Sequence, residues 1–312
     1  MILHLLEKLS NPEKSRNFER FQNYSLDGFQ SYLNQLSLYP NSSKHIRMGV
    51  IGTNGKGSVS YFLAEILEKL HPENLIGLYT SPHLISPFER IQINRVPIQE
   101  SDADRLFPIK SIDPHLSYFE VMTAMAIQIF EDKNCHFQIY EAGLGGRLDA
   151  TKLTEPEYVF LTKIGIDHSE ILGNTETKIL KEKLGFTNNN TKVLFALPQE
   201  SEDLNQQIQN HCRENKIQLF IYDKSFHSDY LSYNESFVRW SLQILFPELK
   251  SKIESLSPLN PPPGRMEILR REPMLIYDTA HNPSAIRYAL QSLKFKYPNI
   301  RFNVFMGCLK DK

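Results

Sequence analysis

Residues 45–60 read H-I-R-M-G-V-I-G-T-N-G-K-G-S-V-S, and this stretch decides the architecture. Ile46, Met48, Val50 and Ile51 have the apolar density of a buried strand. Gly52-Thr53-Asn54-Gly55-Lys56-Gly57-Ser58 then turns. From Val59 to position 70, Phe62, Leu63, Ile66, Leu67 and Leu70 recur on one helical face. Strand, glycine-rich turn and helix together form a phosphate cradle. Glycines let backbone N–H groups approach an anion, and the helix start adds its positive dipole end. Lys56 adds a charge, and Ser58 offers a hydroxyl to phosphate or Mg2+. A plain tight turn would also use three glycines. The general pattern G-x-x-x-x-G-K-[ST] is not met, because position 50 is Val and Gly57 separates Lys56 from Ser58.

Outward from the cradle, strands and helices alternate. Helices are expected at 3–9 and 26–38, punctuated by Asn11-Pro12 and by residues 39–43. Strands are expected at 75–79, 136–140, 158–162, 192–197 and 217–222, with a small hairpin at 91–98. Helices are expected at 118–130, 175–184, 201–214 and 235–246. This order predicts an α/β fold with a mostly parallel sheet covered on both faces. Ligands of such sheets collect at the carboxyl ends of the strands. The loops 52–58, 81–90, 141–149 and 167–168 all fall at such ends. Residues 257–264, S-P-L-N-P-P-P-G, read as a semi-rigid linker. The chain therefore divides into 1–260 and 261–312. The second piece is expected to hold strands at 266–270, 274–278 and 301–306 and a helix at 284–294, too few elements for a complete domain.

Composition narrows the class. Lys plus Arg number 35 against 36 for Asp plus Glu, so the basic excess of a nucleic-acid binder is absent. The three cysteines, Cys135, Cys212 and Cys308, form no C-x-x-C pair, which suits a reducing cytoplasm better than a disulfide framework or a zinc site. The start M-I-L-H-L-L-E-K-L lacks the basic region of a signal peptide, and no apolar run reaches membrane-spanning length. A cytoplasmic protein with no membrane partner is expected.

Single residues add chemistry. Glu141 ends a strand before a glycine-rich loop, where a carboxylate beside phosphates suits Mg2+; a capping or surface glutamate is the alternative. A lone histidine such as His168 is more often structural than a ligand, and Asp167 beside it could orient it. By spacing alone Lys183 is a solvated helix lysine. D-T-A-H-N-P (278–283) reads as a helix cap with Pro in the first turn.

Taken together, the motifs resemble the folylpolyglutamate synthase and dihydrofolate synthase family of Mur-type, ATP-dependent amide ligases. The resemblance rests on G-T-N-G-K-G-S (52–58), T-S-P-H-L (80–84) with F-E-R-I (88–91), E-A-G-L-G-G-R-L-D-A-T (141–151), G-I-D-H (165–168) with L-G-N-T (172–175), E-K-L-G (182–185), P-G-R-M-E (263–267) and D-T-A-H-N-P (278–283). It runs from about position 47 to the end and is weak before that.

The resemblance implies a Mur ligase central-domain-like nucleotide site in 1–260 and an incomplete, Rossmann-like glutamate-ligase domain in 261–312. The family's second domain continues past position 312, so truncation is expected. It implies ATP at Thr53, Asn54, Gly55, Lys56, Gly57 and Ser58, with Arg265, Asp278 and His281 over the nucleotide. One Mg2+ would be held by Ser81 and Glu141, and a second by His168 with Glu141. Lys183 matches a lysine that is carbamylated in relatives. Residues 81–90 would shape a pterin pocket, with Phe88, Arg90, Arg147 and Asp149 as candidate substrate contacts. The implied substrates are dihydropteroate or a reduced folate, and L-glutamate; a monomer is expected.

The sequence departs from the family at several places. Leu184 and Phe186 stand where Ala and Ile are usual, Lys152 for Asn and Thr279 for Gly. Many relatives carry G-x-H-Q-x-x-N before the last helix of the first domain; the comparable region, 231–237, is expected to lack the His-Gln and the Asn. The implied reaction is attack of a pterin-bearing carboxylate on the γ-phosphate, then attack of the glutamate amine on the acyl phosphate. Two other readings remain: a Mur-type ligase for another substrate, and an inactive, truncated nucleotide-binding homologue.

Overall fold

A computed structural model describes residues 2–10, 24–38, 44–107, 112–113, 115–224 and 228–307. The expected punctuation at 11–12 and 39–43 lies outside them. In chain order the elements are α1 (Ile2–Leu6), α2 (Asp27–Gln35), β1 (Ile46–Ile51), α3 (Lys56–Leu70), β2 (Ile76–Tyr79), β3 (Ile91–Ile93), β4 (Val96–Pro97), α4 (Glu100–Leu106) and α5 (Tyr118–Asp132). They continue with β5 (Phe137–Glu141), β6 (Tyr158–Leu161), α6 (Ser169–Leu172), α7 (Glu176–Leu184), β7 (Val193–Ala196), α8 (Glu202–Glu214), β8 (Gln218–Ile221), α9 (Tyr230–Leu245) and α10 (Lys250–Ser255). After residues without regular structure at 257–262 come β9 (Glu267–Arg271), β10 (Met274–Tyr277) and α11 (Pro283–Lys296).

Eight strands form one sheet in the order β4-β3-β2-β5-β1-β6-β7-β8. From β2 to β8 every pairing is parallel, and the β3–β4 hairpin adds an antiparallel edge. Alternation along the strands explains why β1 is central. Met48 and Val50 join Phe160 and Phe195 in a core with Val59, Phe62 and Leu63 of α3 and Phe237 of α9. Ile51 joins Val159 and Leu161 in the core of the opposite face, with Ile179 and Leu180 of α7 and Leu204 and Ile208 of α8. Both faces are covered, as parallel strands require.

Register then places the functional loops. Val50 pairs with Glu141, Ile51 with Leu161 and Tyr79 with Tyr140, so four parallel strands end level with one another. The loops that follow 51, 79, 141 and 161 emerge side by side. Among the described residues no helix is long and apolar enough to cross a membrane. Cys135 and Cys212 are buried free thiols, and burial pushes both up to about 12.

Several expectations need correction. The cradle helix begins at Lys56 rather than Val59, so the lysine itself opens the helix. The helix expected at 235–246 begins at Tyr230. Helices α4 and α10 were not expected. Residues 301–306 form no strand. A strand is defined by pairing as well as composition, and among the described residues β9 and β10 pair only with each other, antiparallel. Phe305 is left 93% exposed.

Candidate active site

The cradle is built from both of its ends. Thr53 and Asn54 donate their backbone N–H groups to the Lys163 carbonyl at 2.9 and 3.2 Å. The Thr53 hydroxyl donates to Gly165 O (3.0 Å) and accepts from Gly165 N (3.2 Å). These two residues therefore anchor the loop. Gly55 caps α3 at φ 99°, a backbone conformation that favours glycine. The N–H groups of residues 55–58 open the helix and have no carbonyl one turn back inside it. They are the anion-facing part of the cradle, and Lys56 Nζ lies over the loop, 3.4 Å from Thr53 O.

Opposite them stands Glu141 at the end of β5. Its side chain is buried, and Ser81 N donates to Oε2 at 3.2 Å. Burial pushes this carboxyl above its ordinary range, while Lys56, the Ser81 N–H, Arg265 and Arg90 pull it back. A Cβ at Gly57 would stand 3.6 Å from both carboxylate oxygens and 3.9 Å from Arg265 Nη2, so helix start, carboxylate and guanidinium converge. Ser58 Oγ is buried without a hydrogen-bond partner among the described residues. A buried, incompletely compensated carboxylate and an orphan hydroxyl are groups that a hard cation or a phosphate oxygen satisfies. Among the described residues, no group of three or more His, Cys, Asp and Glu could hold a metal ion. The oxygen donors present, Glu141 and the Ser58 hydroxyl, are of the kind that hard divalent cations take.

Lys183 is not solvated. It is buried, Nζ donates to Gly52 O at 2.7 Å, and burial with the neighbouring Lys56 charge lowers it to about 7. Asp167 accepts from His168 N (3.0 Å) and from Asn282 Nδ2 (3.2 Å), with His281 Nε2 at 3.5 Å and His168 Nε2 at 3.9 Å.

Most of these groups border one cavity of about 840 Å³. Thr53, Asn54, Gly55, Lys56, Gly57, Ser58, Ser81, Glu141, Asp149, His168, Lys183, Arg265, Asp278 and His281 all line it. On one side it reaches a lobe of Phe119, Leu144, Leu148 and the buried carboxylates Glu120 and Asp149. Tyr24 OH donates to Glu120 Oε1 at 2.8 Å. On the other side it reaches Tyr230, Tyr233, Asn234 and Tyr288.

Three expected substrate contacts stand apart from the cavity. Phe88 packs into the core with Tyr79 and Tyr118. Arg90 is 1% exposed; its Nε donates to His83 Nδ1 (3.0 Å) and its guanidinium lies over the Tyr118 ring. Arg147 points to Glu182 instead, Nε to Oε1 3.0 Å. Asp149 lines the cavity, but its oxygens accept from Leu144 N, Thr151 N and the Thr151 hydroxyl. Asp278 is engaged as well: Tyr230 OH (2.5 Å) and Met266 N (2.9 Å) reach Oδ2, and Ala280 N (2.8 Å) reaches Oδ1.

The expected loss of the Asn near 231–237 is corrected. Asn234 is present and abuts the cradle, with Nδ2 3.0 Å from where a Gly55 Cβ would stand. Sequence reasoning also missed Glu120, Phe119, Lys163 and Tyr288. The capping box Ser117-x-x-Glu120 was readable as a helix start, but nothing local said that it faced the cavity.

Comparison with known proteins follows the same outline. The Mur ligase middle domain matches residues 50–256, and the Mur ligase glutamate ligase domain matches 264–312. The chain is 31% identical to the dihydrofolate synthase/folylpolyglutamate synthase of Bacillus subtilis, covering 84% of this chain and 71% of that protein. It is 32% identical to the protein of the same name from Buchnera aphidicola of Acyrthosiphon pisum, covering 93% and 80%. Among solved structures, a bifunctional folylpolyglutamate synthase/dihydrofolate synthase of Yersinia pestis, complexed with AMPPNP and Mn ion, superposes with a TM-score of 0.74. It is 27% identical, covering 95% of this chain and 74% of that one.

Proposed function

The chain belongs to the dihydrofolate synthase/folylpolyglutamate synthase family of Mur-type ligases, and on that premise we propose that it joins L-glutamate to a pteroate or folate carboxylate at the expense of ATP. The observation that carries this reading is the convergence at the start of α3. Lys56, the orphan Ser58 hydroxyl and the buried Glu141 meet Arg265 of the second unit across one cavity. The apolar lining of Phe119, Leu144 and Leu148 supports a flat heteroaromatic substrate.

In the proposed reaction the substrate carboxylate attacks the γ-phosphorus and ADP leaves, giving an acyl phosphate. The amine of glutamate then attacks the acyl carbon, phosphate leaves and the nitrogen loses a proton. The N–H groups of residues 55–58 and Lys56 hold and neutralise the phosphates, so the work is placement and charge. Ser58, Ser81 and Glu141 would hold a Mg2+ ion, with His168 beside a second, and such ions supply further positive charge to the phosphate oxygens. Lys183, lowered toward neutrality by burial, is suited to add CO2 through its neutral amine. Arg265, Asp278 and His281 close the cavity from residues 261–312, which we assign to the glutamate-ligase domain, with 1–260 as the ATP-binding domain. Closure excludes water that would hydrolyse the acyl phosphate.

The test is mass-spectrometric product analysis with dihydropteroate and tetrahydrofolate offered separately, each with ATP, Mg2+ and L-glutamate. A product heavier by one glutamyl unit, formed with ADP, is expected. Nucleotide binding without glutamate-dependent ADP release would refute the ligase. ADP release only with cell-wall precursors would reassign its substrate.

A further inference from the structure

The side chain of Asn54 belongs to the phosphate cradle by sequence, yet its hydrogen bonds go to the second unit. Its Nδ2 donates to Ser284 Oγ at 2.7 Å, and its Oδ1 accepts from Asn282 Nδ2 at 2.9 Å. Asn282 is 2% exposed and serves three elements at once. Its Oδ1 caps α11 by accepting from Ala285 N (2.9 Å) and from the Ser284 hydroxyl (3.0 Å). Its Nδ2 is shared between Asn54 and Asp167 Oδ2, the latter at 3.2 Å. The loop 163–167 is in turn bonded to the cradle through Lys163 O and Gly165. Cradle, Asp167 loop and the start of α11 thus form one polar clasp.

Gly165 is what lets the clasp close. A Cβ there would stand 3.0 Å from Ser284 Oγ and 3.5 Å from Asn54 Nδ2, in the space the Asn54–Ser284 bond occupies. The backbone N–H of Asn54 is also turned to Lys163 O. Both polar ends of its side chain and its N–H are therefore engaged inside the protein.

We infer that Asn54 is a positioning residue: through Ser284 and Asn282 it ties the start of α11, and with it the Asp278–His281 loop, to the phosphate cradle. Its side chain does not bind phosphate. The consequence for the reaction rests on the function proposed above; the clasp itself does not, so one arm of the test uses no nucleotide.

In the ligand-free arm, hydrogen exchange is measured on the amides of 284–288 for the full chain and for Ser284→Ala, Asn54→Ala, the double variant and Gly165→Ala. Each single hydrogen-bond variant is expected to speed exchange about 5- to 10-fold, the size of one net hydrogen bond. The double variant should speed exchange by less than the product of the two single effects, because the Asn54–Ser284 bond is lost in both, while each single also loses its own bond to Asn282. Gly165→Ala should speed exchange while every hydrogen-bonding group is kept. In the second arm, ADP affinity is measured by calorimetry, and Ser284→Ala and Asn54→Ala should each change it less than about 3-fold. Unchanged exchange in Ser284→Ala, or additive effects in the double variant, overturns the clasp. A tenfold loss of ADP affinity in Asn54→Ala with Ser284→Ala at wild-type affinity makes Asn54 a phosphate ligand and overturns the inference. Failure of the unaltered chain to bind ADP would instead strike the nucleotide site, with the exchange result still deciding the clasp.

Discussion

Strands β1 and β9 both carry neighbouring large apolar residues, Val50-Ile51 in one and Ile268-Leu269 in the other, yet their environments are opposite. In β1 Met48, Val50 and Ile51 are fully buried, while in β9 Ile268 is 40% and Leu269 55% exposed. The difference lies in the partners. β1 has strands on both edges and helices on both faces. Among the described residues β9 has one partner, β10, and only Met266, Ile276 and Leu293 of its unit reach the main core. The second unit is placed chiefly by a polar seam: Tyr230 OH on Asp278, Tyr230 N on Ser292 Oγ (3.0 Å), Tyr288 OH on Glu200 (2.9 Å), Lys296 with Asp229 (3.1 Å) and the Asn54 clasp. One region supplies stability and the other supplies placement. Apolar burial is strong and non-directional, whereas hydrogen bonds are weak in net energy and exact in geometry.

The largest effect expected from this division is chemical. Lys56→Ala or Glu141→Ala should lower glutamate-dependent ADP release by about 10²–10³-fold or more with the thermal melt unchanged; turnover within threefold of the unaltered chain would sink the assigned roles. Next comes packing. Phe160→Ala, at a fully buried ring stacked on Phe195, should cost about 3–5 kcal/mol in urea unfolding, against under about 0.5 kcal/mol for Leu269→Ala. Equal losses would erase the contrast between the two units.

A smaller, pH-dependent effect belongs to Lys183, lowered to about 7 from an ordinary 10.5. Between those values the unfolded chain binds one more proton than the folded one, so stability should rise as pH rises from about 7 toward about 10.5 and stay level below. Lys183→Met should flatten that slope, and urea midpoints at several pH values would show whether it does. The smallest effect is at Ser58. Because its buried hydroxyl lacks a partner among the described residues, Ser58→Ala should change stability by less than about 1 kcal/mol while weakening Mg2+-dependent nucleotide binding. A large loss of stability without a change in binding would mean that the hydroxyl is structural.

Local patterns were legible where a residue's role is set by its neighbours in sequence. The run 46–51, the glycines of the cradle and the helical spacing of Phe62, Leu63 and Ile66 were enough to place strand, turn and helix. The convergence of four strand-end loops was legible too, because a parallel sheet puts all its carboxyl ends on one side. Failures occurred where distant partners decide. Residues 301–306 have a strand's composition, but no strand pairs with them among the described residues. The bonds of Arg147 to Glu182 and of Arg90 to His83 were not legible from their motifs. Asn234 was passed over because its value lies in touching Gly55, far away in the chain.

What the sequence determined by itself is the α/β order, the anion-binding turn at Gly52–Ser58 and, through its motifs, the family. All three depend on periodicity, backbone conformation or residue type, which are local. The tertiary structure alone decided that Lys183 is a buried amine and that Ser58 is an orphan. It also decided that the side chain of Asn54 is hydrogen-bonded to Ser284 and Asn282 of the second unit. Burial and hydrogen-bond competition depend on which groups meet across the fold, and no window of sequence contains both partners.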